Sequence, residues 1–152
     1  MTNGERFTLV PEVFLILVRG GEILLARRFQ TGYEDGNYYM VAGHVEGRET
    51  MREAAAREAK EEAGIIIDPA CLEHKLTMHR WCGNHERIGC YFLAPTWAGE
   101  AQNREPDKCD DMRWFPLTQL PSNTTPHIRV AVDCYVNGIS YVDFGWEGRY
   151  HL

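Results

Sequence analysis

Three glutamates near the middle of the chain, Glu58, Glu61 and Glu62, have the residue type and spacing of a cation-binding site. On an α-helix, residues three and four apart share a face, so we expect these carboxylates to converge within about one turn. Such a cluster repels itself, which raises carboxyl pKa values and lowers stability. A hard divalent cation such as Mg²⁺ or Ca²⁺ removes the repulsion because it prefers several oxygen ligands. The spacing therefore predicts a metal-binding face.

The helix that carries these glutamates is predicted from about residue 49 to 63. Every residue in this stretch is a good or tolerable helix former, and Gly64 follows where a left-handed C-terminal cap is expected. Arg57 lies four residues after Glu53 and four before Glu61, so it can pair with either carboxylate. On composition alone, a solvated surface helix is the alternative interpretation. Small residues that would let the other side approach a sheet are Ala55, Ala56, Ala59 and Ala63.

Apolar and β-branched runs on either side of this helix predict strands. Gly20-Gly21 supplies the tight turn that would join residues 13–18 and 22–27 as a hairpin. A strand over residues 38–42 leads into Gly43. The other predicted elements are strands over 72–81, 87–96, 112–115 and 139–144, a second helix over 128–136, and polar loops over 30–37 and 99–111.

Composition and charge restrict the classes of protein. With 152 residues, the chain is expected to form one domain over residues 1–152. Its 22 Asp and Glu against 16 Lys and Arg disfavour a nucleic-acid duplex as partner, since that needs a basic face. Five scattered cysteines without a C-x-x-C pair indicate neither disulfides nor zinc and favour a cytoplasmic location. The longest apolar run, residues 13–18, is too short to span a membrane, and no signal peptide is evident.

The segment from Gly43 to Ile65 resembles the signature of the Nudix hydrolases at every specified position. With seven fixed residues, a chance match in a chain of this length is on the order of one in a million at average composition. The resemblance implies the Nudix fold, of class α/β (α+β), in which a mixed β-sheet is sandwiched between helices. It also implies metal-dependent hydrolysis of a nucleoside diphosphate linked to another moiety. The fixed residues are Gly43, Glu49, Arg57, Glu58, Glu61, Glu62 and Gly64.

The same resemblance implies roles for individual residues. Mg²⁺, or Mn²⁺ in its place, would be held by the carboxylates of Glu58, Glu61 and Glu62, with the Gly43 carbonyl as a further ligand. Arg57 and Glu49 would support and orient these carboxylates.

A second segment, residues 97–105, resembles the part of the antimutator Nudix enzymes that carries an additional functional glutamate. That residue would be Glu105, a further catalytic and metal-binding candidate. Removal of a proton from the attacking water needs a carboxylate within hydrogen-bond reach, and both Glu58 and Glu105 remain candidates.

Residues outside the signature are predicted to contact the substrate. Tyr39 could stack on a nucleobase, and Arg27, at the end of a strand, could meet a phosphate. Asn123 and Thr124 offer polar side chains to the edge of a base. For each of these residues, ordinary packing or surface exposure is the alternative.

The resulting functional prediction is hydrolysis of a nucleoside triphosphate, its base oxidised or not, to a monophosphate and pyrophosphate. An ADP-ribose or dinucleotide pyrophosphatase is the alternative; subgroups of that kind often have a proline shortly beyond the signature, and here only Pro69 occurs between Ile65 and Pro95. A non-catalytic, regulatory nucleotide-binding module is disfavoured because every signature carboxylate is retained. The expected partner is a small nucleotide, and the protein is expected to be a monomer or a homodimer.

Overall fold

The computed structural model describes residues 4–147. The domain predicted over residues 1–152 thus includes two short ends, 1–3 and 148–152, that lie outside the described residues. Between residues 4 and 147 the chain forms nine strands, two α-helices and one short 3₁₀ turn. In chain order these are β1 Val10–Ile16, β2 Val18–Arg19, β3 Glu22–Arg28, β4 Tyr38–Tyr39, β5 Val41–His44, α1 Met51–Ala63, the turn Pro69–Cys71, β6 Glu73–Trp81, β7 Glu86–Leu93, β8 Cys109–Pro116, α2 Pro126–Asn137 and β9 Tyr141–Phe144.

A five-stranded sheet in the order β5-β1-β7-β6-β9 forms the centre of the fold. It is mixed, because β1 runs parallel to β7 and antiparallel to β5, while β6 runs parallel to β9 and antiparallel to β7. Alternate residues of β1 face different helices: Val13 packs in the core with α1, and Phe14 in the core with α2. Both faces of the sheet are therefore covered, which confirms the predicted mixed sheet between helices and explains the continuous apolar run.

A second, smaller sheet is built around β3. This strand pairs with β2 and β4 near its two ends and with β8 along its length. The predicted hairpin between residues 13–18 and 22–27 is wrong for most of its length, because only β2 pairs with β3. Residues 10–16 belong to the five-stranded sheet, where their side chains can be covered on both faces.

Two other strand predictions also need correction. Residues 38–42 form two strands: β4 pairs in the smaller sheet, and β5 pairs with β1 in the larger one. The chain changes sheets at Met40, which is buried. β8 begins at Cys109, inside the predicted loop 99–111, because Cys109 and Asp111 extend the pairing with β3.

The ends of α1 are determined by local hydrogen bonds. The helix begins at Met51 rather than residue 49, because Thr50 is the N-cap: its hydroxyl accepts from the Glu53 amide at 3.1 Å, and the Glu53 carboxylate accepts from the Thr50 amide at 2.7 Å. Gly64 forms the predicted left-handed cap, with φ 69°, and its amide donates to the Lys60 carbonyl at 3.1 Å. These caps fix where the helix starts and stops, and so which residues face the sheet.

The side of α1 that contacts the larger sheet consists of small residues. Ala56, predicted among them, is only partly covered, and Ala54 is buried in its place. Because these side chains are short, the helix backbone lies close to β1 and β5. The opposite, acidic side is thereby held in one orientation. The buried alanines are Ala54, Ala55, Ala59 and Ala63.

Candidate active site

An open cleft of about 360 Å³ lies between α1, the ends of β3 and β5, and the segment from residue 103 to 112. The larger sheet and α1 form one wall, and the smaller sheet forms the other. Most of the residues that the sequence predicted for the site line this cleft. They are Gly43, Glu58, Glu61, Glu62, Glu105, Arg27 and Tyr39.

Arg57 is the centre of a hydrogen-bond network beside the cleft. Its Nε and Nη2 donate to the two carboxylate oxygens of Glu49 at 3.1 and 2.8 Å, and Nη2 also donates to the His44 carbonyl at 3.0 Å. Its Nη1 donates to Glu58 at 2.8 Å and to Glu61 at 3.3 Å. Glu49 and then Glu58 raise the pKa of the arginine. The guanidinium group therefore stays charged and fixes the position of the Glu58 carboxylate.

Glu53, which the spacing offered as a second partner of Arg57, caps the helix instead. The choice between the two carboxylates follows from geometry: Glu53 lies in the first turn, where free backbone amides compete for its side chain.

Gly43 is required by close packing. A Cβ at this position would overlap the carboxyl group of Glu58. Because glycine has no side chain, the Glu58 side chain can lie directly against the backbone of β5. Any larger residue at position 43 would displace that carboxylate.

Glu62 lies deeper in the cleft than the other carboxylates of α1. One of its oxygens accepts a hydrogen bond from the Ala42 amide at 3.2 Å. Burial, and then the nearby Glu58, raise the pKa of Glu62 well above its usual value. Burial also raises the pKa of Glu58, although its hydrogen bond from Arg57 opposes the shift. Loss of negative charge from the Glu58 and Glu62 carboxylates is therefore favourable. A bound cation would neutralise the same charge.

The donor set suits a hard divalent cation, since it consists of carboxylate oxygens. Glu58 and Glu61 both accept from the same nitrogen of Arg57, so their carboxylates reach a common point. Among residues 4–147, however, no three His, Cys, Asp or Glu side chains already form a compact metal-ligand group.

Arg27 and Tyr39 reach the cleft but already have other partners. Arg27 donates to Asp110 at 2.7 Å, and its guanidinium group lies 5.7 Å from the centre of the Tyr38 ring. Tyr39 is largely buried, its hydroxyl group lies 3.0 Å from His127 Nε2, and burial raises its pKa. Only part of the tyrosine ring is therefore available to a ligand.

Asn123 and Thr124 were predicted to contact the substrate, but they are not among the residues that line the cleft. The Asn123 amide donates to the Gly36 carbonyl at 2.8 Å, and the Thr124 hydroxyl donates to the Pro121 carbonyl at 2.7 Å. The Asn123 side chain ties the segment before α2 to the loop before β4, and the Thr124 side chain closes a turn within that segment. These two side chains, which the sequence offered as ligands for a base, bind backbone carbonyls instead.

Arg28, next to Arg27 at the end of the same strand, also lines the cleft, as do Asn103 and Lys108, which were not predicted. Arg28 follows Arg27 at a register shift in the pairing of β3 with β8, so both arginines reach the same cleft instead of pointing to opposite faces. Simple strand alternation would have separated them. Asn103 and Lys108 come from an irregular segment in which no periodicity indicates direction.

The fold and the arrangement of this cleft correspond to a known family. Residues 8–133 match the NUDIX domain. The chain therefore belongs to the NUDIX family. Between residues 4 and 147, no helix is both long and apolar enough to cross a membrane.

Two groups of bacterial relatives are similar in sequence. The NAD-capped RNA hydrolase NudC of Stutzerimonas stutzeri (strain A1501) is 31% identical over 114 residues, which are 75% of this chain and 39% of that protein. The chain thus spans about two fifths of the length of such relatives. The phosphatase NudJ of Escherichia coli (strain K12) is 31% identical over 115 residues, which are 69% of this chain and 73% of that protein.

Solved structures share the fold. A MutT NUDIX hydrolase from Burkholderia pseudomallei superposes with a TM-score of 0.76 at 26% identity, covering 84% of this chain and 98% of that one. The Escherichia coli ORF135 protein gives a TM-score of 0.70 at 23% identity over 85% of this chain.

Proposed function

We propose that the protein hydrolyses a nucleoside diphosphate linked to another moiety, with water attacking at phosphorus. The observation that carries this proposal is the meeting of the α1 carboxylates with Glu105 in one cleft. The names of the similar proteins support it, since one is a hydrolase of NAD-capped RNA and another a phosphatase. A diphosphate linkage is the feature common to such substrates.

We further propose that a divalent cation, Mg²⁺ or Mn²⁺ in its place, works in this cleft. When bound, such an ion would neutralise phosphate charge and lower the pKa of a water molecule. The residues that would hold it are Glu58, Glu61, Glu62, Glu105 and the carbonyl group of Gly43.

The side chains of the protein would supply the remaining chemistry. Glu58 is a candidate for accepting the proton of the attacking water, and its raised pKa brings it closer to the operating pH of a general base. Glu105, on the facing segment, is the other candidate. Arg57 would act by positioning Glu58, and Glu49 by holding Arg57. On the opposite wall, Arg28 supplies positive charge toward phosphate oxygens.

A nucleoside triphosphate, cleaved to a monophosphate and pyrophosphate, is the substrate that we place first. The MutT NUDIX hydrolase with the same fold supports this order. A dinucleotide such as ADP-ribose or NAD is the second candidate, favoured by the resemblance to NudC. A regulatory, non-catalytic role fits less well, because the carboxylates are retained and also converge.

The test is a substrate screen with product identification. Nucleoside triphosphates, their oxidised analogues, ADP-ribose and NAD would be incubated with Mg²⁺, Mn²⁺ or a chelator, and the products separated by mass. We expect metal-dependent cleavage of a diphosphate linkage, lost in Glu61→Gln. Glu53→Gln is the matched control, because glutamine at this position preserves the helix cap. If wild type and Glu61→Gln are equally inert on every compound, the catalytic proposal is wrong.

A further inference from the structure

A second cleft, of about 250 Å³, lies on the other side of the edge strand β5. It shares Arg28, Tyr39 and residues 42–44 with the first cleft, so the two are continuous. The first cleft has α1 beside it, whereas the second lies on the sheet face that bears Glu12 and Arg87. A ligand with its diphosphate in the first cleft can therefore extend around β5 into the second.

The second cleft includes a buried carboxylate with one free oxygen. Glu12 is only 4% exposed, and its Oε1 accepts from Arg80 at 2.9 Å and from Arg87 at 3.1 Å. Its Oε2 has no hydrogen-bond partner among residues 4–147. Within those residues, Thr125 Oγ1 is the one side-chain polar atom that is both fully enclosed and without a hydrogen-bond partner. Glu12 Oε2 is therefore not fully enclosed, and it is open to the cleft that Glu12 lines.

The two arginines that bind Glu12 Oε1 are themselves held by other residues, and this fixes the whole carboxylate. Arg80 also lies 2.9 Å from His127 Nδ1 and 3.4 Å from the hydroxyl group of Tyr33. Arg87 lies 3.0 Å from His44 Nε2. The carboxylate thus presents a fixed acceptor to the cleft.

The chemistry of this acceptor decides what can bind. A carboxylate oxygen repels a phosphate group and accepts N–H or O–H donors. Aromatic rings form part of the wall: Arg28 lies 5.3 Å from the ring centre of Tyr33 and 5.1 Å from that of Tyr39, and the two rings meet edge to face at an angle of 82°. The exposed ring of Tyr33 offers a surface on which a planar ligand can stack, which favours a base over a sugar.

We propose that the second cleft binds the nucleobase of the substrate and that Glu12 Oε2 accepts a hydrogen bond from a base N–H. Glu12 is then a residue that determines specificity, and Arg87 offers a donor to a neighbouring acceptor of the base. This inference rests on the proposed function, because it assumes that a nucleotide diphosphate occupies the first cleft.

The decisive experiment compares wild type with Glu12→Gln on the four ribonucleoside triphosphates, which differ only in the base. In wild type we expect kcat/KM values to differ by tenfold or more between the best and worst base, since a hydrogen bond to a charged group is worth roughly that factor. In Glu12→Gln, where an amide replaces the carboxylate, the spread should fall to about threefold. An unchanged spread in Glu12→Gln would overturn the proposal.

Glu86→Gln is the matched control. It alters another largely covered carboxylate, one that lies 2.8 Å from His79 Nε2 and does not line the cleft. The spread between bases should remain as in wild type. The corresponding deoxyribonucleotides form a further arm: if Glu12→Gln changes the preference for ribose and leaves base preference alone, the donor is a sugar hydroxyl and the assignment to the base is wrong.

Binding separates this inference from the catalytic proposal. Dissociation constants of the four nucleoside monophosphates would be measured by calorimetry, which needs no turnover. If no nucleotide is cleaved but binding depends on the base in wild type and not in Glu12→Gln, the catalytic proposal fails and this one stands. If Glu12→Gln does not fold, Tyr33→Leu is used, since Tyr33 is 46% exposed. We expect it to weaken monophosphate binding about tenfold; unchanged binding would refute the base assignment.

Discussion

Carboxylates lie on both sides of β5, and their charge is balanced in different ways. On the α1 side, Glu58 and Glu61 share the guanidinium group of Arg57, which also binds Glu49, so negative charge is in excess around it. On the other side, Glu12 lies against two arginines. Burial, and then Arg80, lower the pKa of the adjacent His127 to about 2, so this histidine is neutral and leaves that balance unchanged.

This difference separates two kinds of binding site. A group with excess negative charge gains stability from an added cation, which suits it to the metal ion that we propose. A carboxylate that is already paired with two arginines has no need of a cation, and its free oxygen can accept a hydrogen bond from an uncharged polar ligand. The two clefts are continuous, so one substrate can use both.

The largest expected effect is on activity, at the α1 cluster. Glu58→Gln keeps the shape of the side chain but removes a candidate proton acceptor and metal ligand. We expect kcat for pyrophosphate release to fall about 10²–10⁴-fold. Glu105→Gln, measured beside it, decides which carboxylate takes the proton: the variant with the larger loss and an altered pH profile identifies it. A loss below tenfold in both would contradict the proposed site.

Loss of the buried ion pair between Glu12 and Arg80 should have its largest effect on stability. Glu12→Ala leaves Arg80 buried without its carboxylate partner, and we expect the free energy of unfolding to fall by about 3–5 kcal/mol. Urea denaturation followed by circular dichroism measures this. Glu61→Ala is the comparison: that side chain is 50% exposed, so its loss should change stability by less than about 1 kcal/mol. Equal losses would mean that the two regions do not differ as described.

The packing of Gly43 against Glu58 can be tested by adding a single methyl group. In Gly43→Ala, the new Cβ must displace the Glu58 carboxylate. We expect kcat/KM to fall roughly 100-fold, since a misplacement of about 1 Å in an active site can have that effect. Thermal unfolding would check that the fold persists, and full activity in the variant would show that the contact does not matter.

The last expected change is small but has a definite sign. Burial and the nearby Glu58 raise the pKa of Glu62 above its unfolded value. Its contribution to stability is therefore fully present below the ordinary carboxyl pKa and is lost as pH rises through the folded-state pKa. In a chelator, the Tm of wild type should fall more steeply from mildly acidic to neutral pH than that of Glu62→Gln. Mg²⁺ should raise the Tm of wild type at neutral pH more than that of the variant; parallel curves would contradict this account.

Much of the α1 side could be predicted because its information is local. The glutamates, Arg57 and Gly64 lie within one helix and its cap, where spacing alone determines which side chains share a face. Gly43 and Glu49 were predicted through the signature, and the structure adds the physical reasons, namely a close approach and a bidentate hydrogen bond.

The Glu12 side could not be predicted in the same way. Glu12 and Arg80 are 68 residues apart, and Arg80 and His127 are 47 apart, so their contacts depend on strand register that the sequence does not specify. Asn123 and Thr124 were predicted as substrate contacts but lie outside the cleft residues for a related reason: a polar side chain in a loop can bind a ligand or a backbone carbonyl, and only the folded chain decides between them.

The passage of the chain from β1 directly into β2, through buried Leu17, joins the two sheets by a continuous backbone. A second such junction occurs at Met40, between β4 and β5. Hinge motion of one sheet against the other would have to strain both junctions at once. We therefore expect the walls of the clefts to be preformed in the free protein, and access to be governed by side chains and by the loop between β3 and β4.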